Sequence, residues 1–71
     1  MSYEVVAEMV ANVLTVVAEQ GAELEPGDTI VLLESMKMEI PVLAETAGTL
    51  VDVRVHAGDV VQEGDVLAVV A

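Results

Sequence analysis

With 71 residues and no cysteine, the chain reads as a single domain (1–71) that must be held together by aliphatic packing, near the lower size limit for a core without disulfides. Thirteen acidic residues stand against Lys37 and Arg54, and the net charge of −11 argues against a nucleic-acid or anionic-membrane partner while favouring a soluble monomer. Hydrophobic residues make up 55%, valine dominates and Tyr3 is the single aromatic, a composition that suits pleated sheet better than helix.

The chain opens Met1-Ser2-Tyr3-Glu4, with no basic residue and no long apolar core of the kind a signal peptide carries. No later run reaches transmembrane length, so no membrane association is expected and the cytoplasm is the expected compartment. Residues 4 to 18 carry two periodicities, because Val6, Met9, Val10, Val13 and Val17 would also line one face of a helix ending at Gly21. An internal repeat decides for strands. Gly21 to Asp28 matches Gly58 to Asp65 at a constant offset of 37 residues, which also pairs Val5-Val6-Ala7-Glu8 with Val42-Leu43-Ala44-Glu45 and Val13 with Leu50. The second copy contains Pro41, Gly48 and the run Leu50-Val51-Asp52-Val53-Arg54-Val55, poor helix and good strand.

Each half is therefore predicted to give a strand (about 4–10), a second (about 12–18), a glycine turn, a very short third strand, a Gly-Asp turn and a fourth strand (about 29–35). Pro26-Gly27 suits the centre of a type II turn, and Pro41 belongs at an edge or bulge because it cannot donate to a ladder. Neither half can bury its apolar face alone, so the two are expected to pack as the sheets of a small sandwich or flattened barrel. The repeat puts Lys37 at the junction of the copies, and a pseudo-two-fold axis would map that junction onto the termini, at the opposite end of the domain.

Lys37 is the only lysine, set between Ile30-Val31-Leu32-Leu33 and Ile40-Pro41-Val42-Leu43, and so reads as the tip between two buried strands. Met36 and Met38 bracket it where a tight turn would ordinarily use Gly, Asn or Asp. A hairpin there forces non-glycine residues to positive φ at roughly 1–2 kcal/mol each. A lone lysine in a turn is ordinarily a solvated surface charge. The Met-Lys-Met setting instead suggests an acceptor amine displayed on a rigid tip for another protein. Any activation of that amine is expected to come from the modifying enzyme.

The segment Glu34-Ser35-Met36-Lys37-Met38-Glu39 resembles the attachment motif of biotinyl domains, and the paired Gly-Asp turns resemble those of the biotinyl/lipoyl attachment family. The resemblance covers nearly the whole chain and is greatest to the stand-alone biotin/lipoyl attachment proteins. It implies an all-β, flattened barrel-sandwich of two four-stranded antiparallel sheets with a pseudo-two-fold repeat, and biotin joined by an amide to Lys37. It further implies a non-catalytic biotin carboxyl carrier, modified by a biotin protein ligase, charged by a biotin carboxylase and unloaded by a carboxyltransferase. Met36 and Met38 would then serve in recognition beside the cofactor, and Glu34, Ser35 and Glu39 in recognition by the ligase and partners.

Some residues depart from the family pattern. Ala7-Glu8 and Ala44-Glu45 stand where Ala-Pro is common, Ser35 where alanine is frequent, and Ala11-Asn12 where the second half keeps Gly48-Thr49, with Asn12 expected to tolerate positive φ if the turn survives. The short Glu19-Gln20-Gly21-Ala22 connection leaves no room for the thumb insertion of some acetyl-CoA carboxylase carriers. Two other readings remain: a lipoate carrier of the same fold, which usually has small and acidic residues around its lysine, and an unmodified interaction module. Catalysis by the chain itself lacks a nucleophile set, His56 reads as a surface residue, and the acidic residues show no metal-ligand spacing.

Overall fold

Strand follows strand in this computed structural model, which describes residues 2–71; Met1, counted above in the chain's opening, lies outside the described residues. The strands are β1 (Tyr3–Val6), β2 (Ala11–Val16), β3 (Glu23–Leu24), β4 (Thr29–Ser35), β5 (Met38–Leu43), β6 (Gly48–Val53), β7 (Val60–Val61) and β8 (Val66–Val70). No helix forms among the described residues, and the alternative helical face is not a buried face in the strand fold: Val6, Met9, Val10 and Val17 are exposed and only Val13 is buried. Among the described residues no helix is long and apolar enough to cross a membrane.

The strands form two four-stranded antiparallel sheets, in the orders β1-β8-β6-β3 and β5-β4-β2-β7. The halves do not each make one sheet, as the repeat alone suggests; they interleave. Each sheet takes a strand pair from one half and completes it with the outer strands of the other. Every outer strand of one half is thereby anchored on the central pair of the other. The register obeys the 37-residue offset throughout: Leu33 faces Ile40 as Val70 faces Tyr3, and Val16 faces Val31 as Val53 faces Ala68.

Bulges close the sandwich. Thr29 pairs with Leu43 and Val31 with Val42, leaving Ile30 over; in the other half Leu67 is left over between Val66 and Ala68. An extra residue bends a strand and breaks the alternation of faces, so Ile30-Val31 and Leu67-Ala68 are buried as consecutive pairs. The Ile30 carbonyl accepts from the Val17 and Ala18 N–H groups at 2.9 and 3.1 Å, and the Leu67 carbonyl from Arg54 N–H at 2.8 Å. This is why the second strand stops at Val16 rather than continuing to 18. The first strand stops at Val6, short of the expected 10, because Ala7 turns away to the opposite turn: its N–H donates to Asp65 O (2.9 Å) and its carbonyl accepts from Gly64 N (2.8 Å). Ala44 makes the equivalent bonds with Asp28 O and Gly27 N.

Pro41 sits in β5, an edge strand, as expected. Glu25-Pro26-Gly27-Asp28 forms the expected turn, with Gly27 at φ 92°, Asp28 N–H donating to Glu25 O at 3.0 Å and Glu25 N–H to Asp28 Oδ2 at 2.8 Å. Gln62 N–H and Asp65 Oδ2 repeat that bond at 2.8 Å. The contrast between Ala11-Asn12 and Gly48-Thr49 has a different cause from the one expected. Neither Asn12 nor Gly48 has positive φ, and both lie within strands. Gly48 is needed for space: a Cβ there would stand 2.7 Å from Ala71 O and 2.9 Å from Val70 Cγ1. In the first half the corresponding crossing accommodates the buried Ala11 methyl.

Candidate functional site

β4 is an interior strand, paired with β2 on one side and β5 on the other, so the hairpin it forms with β5 rises from an anchored base. Leu33 is buried, Ile40 opposite it is half-buried, and above them Glu34 faces Glu39 and Ser35 faces Met38. Only Met36 and Lys37 remain for the turn. Both take positive φ, 54° and 65°, the requirement of the two-residue hairpin loop whose twist matches its strands. They are the only non-glycine residues with positive φ among the described residues. The strain expected from the sequence is therefore present, at roughly 1–2 kcal/mol per residue.

The side chains at the tip meet little of the protein. Met36 is 87% exposed and Met38 59%, whereas Ser35 and Glu34 are half-buried and Lys37 and Glu39 exposed. Among the described residues Lys37 joins no ion pair; the chain's other cation, Arg54, donates to Asp52 Oδ2 at 2.8 Å. That hydrogen bond and the Asp52 charge raise the Arg54 pKa above its ordinary value. Glu34 and Glu39 are directly opposed like charges, an arrangement that costs about 0.2–1 kcal/mol in a sheet. The tip thus combines strained backbone, exposed thioethers and a carboxylate pair below a solvated amine, none of which serves stability.

The structure brings all six sequence-predicted site residues onto this one hairpin end. It also puts them at the end opposite the termini. Tyr3 pairs with Val70, and its hydroxyl accepts from Glu45 N–H (3.2 Å) and Thr46 N–H (3.4 Å) just beyond the far end of β5 from Met38. This contact was not legible beforehand, although the Ala44-Glu45 departure was its signal: a proline in place of Glu45 would have no N–H to give Tyr3. His56 is a surface residue whose N–H donates to Asp59 Oδ2 at 2.8 Å. Among the described residues no three His, Cys, Asp or Glu side chains are grouped to hold a metal.

A family model described as "Biotin-requiring enzyme", of the biotin/lipoyl type, matches residues 3–70. The "Biotinylated protein TB7.3 homolog" of Mycobacterium leprae is 55% identical over 71 residues, covering 100% of both chains. The "Biotin/lipoyl attachment protein" of Bacillus subtilis is 43% identical over 60 residues, which span 84% of this chain and 82% of that protein. Among solved structures, the Kluyveromyces lactis urea carboxylase contains a region that superposes on 100% of this chain with a TM-score of 0.94 and 30% identity, although the match takes in only 6% of that enzyme.

Proposed function

The chain belongs to the biotin/lipoyl attachment family, and from that premise we propose that residues 1–71 act as one biotin carboxyl carrier domain whose Lys37 is covalently biotinylated. The observation that carries this reading is the tip itself: the chain's only lysine stands on a strained two-residue turn, in no ion pair among the described residues and flanked by exposed methionines. The family's name and the biotinylated relative support it.

In this reading the Lys37 Nζ takes the cofactor's carboxyl as an amide. When bound, biotin supplies the group that carries carboxylate between a biotin carboxylase and a carboxyltransferase. The chain's own part is positional. The interior strand β4 fixes the base of the hairpin, the Met36-Lys37 turn holds the amine clear of the body, and Met36 and Met38 offer adaptable thioether surface to successive enzymes. Glu34, Ser35 and Glu39 form the collar that the ligase and the carboxylase components meet. Catalysis resides in those partners, and the ligase encounters the chain in the cytoplasm.

Expression with an active biotin protein ligase, followed by intact-mass and peptide mass spectrometry, tests the assignment. One biotinyl group per chain on Lys37 is expected, and none on Lys37→Arg, which keeps the charge but has no amine that acylation can use. A lipoyl adduct at Lys37 would move the chain to the lipoate carriers. A wholly unmodified product would make it an interaction module.

A further inference from the structure

The repeat leaves the two sheets with unequal sides. On one side the edges are β3 and β7, two residues each; on the other they are β1 and β5, four and six residues long and related to each other by the 37-residue offset. Between β1 and β5 runs a groove of about 200 Å³. Its lining is mixed, polar and apolar in about equal parts: Val6 and Leu43, 40% and 45% exposed, and the half-buried Val42 and Ile40 supply the apolar part, with Val5 and Leu33 buried beneath them. None of the tip residues lines it.

We propose that this groove docks an extended segment of a partner protein in which a few apolar side chains are flanked at both ends by lysine or arginine. The charge pattern selects that occupant. Glu8 and Glu45 are repeat equivalents and both line the groove. The bond from Glu45 N–H to the Tyr3 hydroxyl fixes one of them at the terminal end; the pseudo-two-fold axis then places Glu8 at the other, beside Ile40. Neither takes part in an ion pair among the described residues, and no cation lines the groove. The third lining carboxylate, Glu4, lies near enough to Arg54 to be its minor partner after Asp52.

The backbone narrows the binding mode. β1 pairs only with β8, so one edge of Tyr3–Val6 is free for an added strand, whereas Pro41 interrupts the donor row of β5. A second copy of this chain is the wrong occupant, since it brings another net charge of −11 and another set of groove carboxylates against the first. The proposal does not depend on the state of Lys37.

The test is titration of the isotopically labelled full chain with the blocked peptide Lys-Val-Leu-Val-Lys at about 0.15 M salt, followed by amide chemical shifts. Saturable shifts confined to β1, β5 and their ends are expected. Glu8→Lys and Glu45→Lys should each weaken binding about fivefold, and Glu8→Gln and Glu45→Gln by less, which keeps the test valid if a reversal perturbs its turn. Glu19→Lys makes the same charge change beside His56, in the depression on the other side of the sandwich, and should weaken binding less than about twofold. Shifts spread over the acidic surface, or an effect of Glu19→Lys equal to that of Glu8→Lys, would overturn the proposal in favour of unspecific charge attraction. Groove shifts that grow with protein concentration alone, with dimer in sedimentation, would overturn it in favour of a second copy.

Discussion

Two kinds of turn share one backbone feature in this protein and use opposite residues for it. Gly21, Gly27, Gly58 and Gly64 take positive φ in the turns that carry the chain from one sheet to the other, and Met36 and Lys37 take it at the tip. At the four glycines a left-handed backbone carries no Cβ penalty, and the turns follow the repeat residue for residue. At the tip the same geometry costs roughly 1–2 kcal/mol per residue, and the repeat has no counterpart turn because the equivalent position is the gap between the termini. Stability explains the first group. The second spends stability on displaying Lys37 between two thioethers, which is what a site selected for encounter rather than for folding looks like.

The comparison is broken most severely by removing what the structural turns rely on. Gly27 and Gly64 each have open space where a Cβ would go, so alanine there tests φ alone. They brace different residues, Ala44 and Ala7, and the double variant Gly27→Ala/Gly64→Ala should therefore lose about 2–4 kcal/mol additively. Chemical denaturation of the two single variants and the double variant checks this, and a loss under about 1 kcal/mol would show that these turns tolerate side chains as the tip does. Gly48→Ala sharpens the same point from the opposite cause. Its φ is ordinary, but the added methyl meets the Ala71 carbonyl and Val70, and a cost of about 1–3 kcal/mol is expected from crowding alone. Thermal melts should register it as a fall in Tm of about 4–8 °C per kcal/mol.

These sites also divide what the sequence discloses from what it conceals. The offset between Gly21 and Gly58 and between Gly27 and Gly64 revealed the repeat, the turns and the place of Lys37, because glycine at positive φ is a local requirement readable from residue type. The interleaving of the halves was hidden, since nothing local to β1 says that it pairs with β8 rather than with β2. The bulges at Ile30 and Leu67 were hidden too: a run such as Ile30-Val31-Leu32-Leu33 looks the same whether its faces alternate or two neighbours turn inward together. Gly48 misled for the same reason, its contact being with the last residue of the chain. At the tip the place of Met36 and Lys37 was legible because they break local turn rules, and a broken local rule is visible without the fold; Glu34, Ser35 and Glu39, which lie in the strands, were drawn in only by the resemblance of their segment to an attachment motif.

A smaller effect of opposite sign comes from making the tip resemble its glycine counterparts. Asn-Gly is the pair that this turn geometry prefers, so replacing Met36-Lys37 with it should raise stability. Relief of strain is offset in part by the greater freedom of glycine in the unfolded chain, which leaves a net gain of about 1 kcal/mol. Equilibrium denaturation of the wild type and the Met36→Asn/Lys37→Gly variant measures it, and a loss instead of a gain would mean that the native tip is not strained.

The smallest expected change in stability carries the sharpest distinction. Met36→Ala and Met38→Ala remove thioethers that are 87% and 59% exposed, so little packing is lost. Alanine keeps the Cβ, so the strain at position 36 stays, and each variant should lie within about 0.5 kcal/mol of the parent, against about 2–5 kcal/mol for truncating a buried methionine. Met38 borders the sheet and should show the larger share through its weaker strand preference. The rate of ligase-dependent modification, measured on the same preparations, should nonetheless fall, because the groups removed are those an approaching enzyme meets first. If the midpoints drop by several degrees while modification proceeds at the parental rate, the methionines are packing residues and the tip is merely an irregular turn. If both quantities hold still, recognition lies lower on the hairpin, and Glu34 and Glu39, opposed across β4 and β5, become the groups to reverse next.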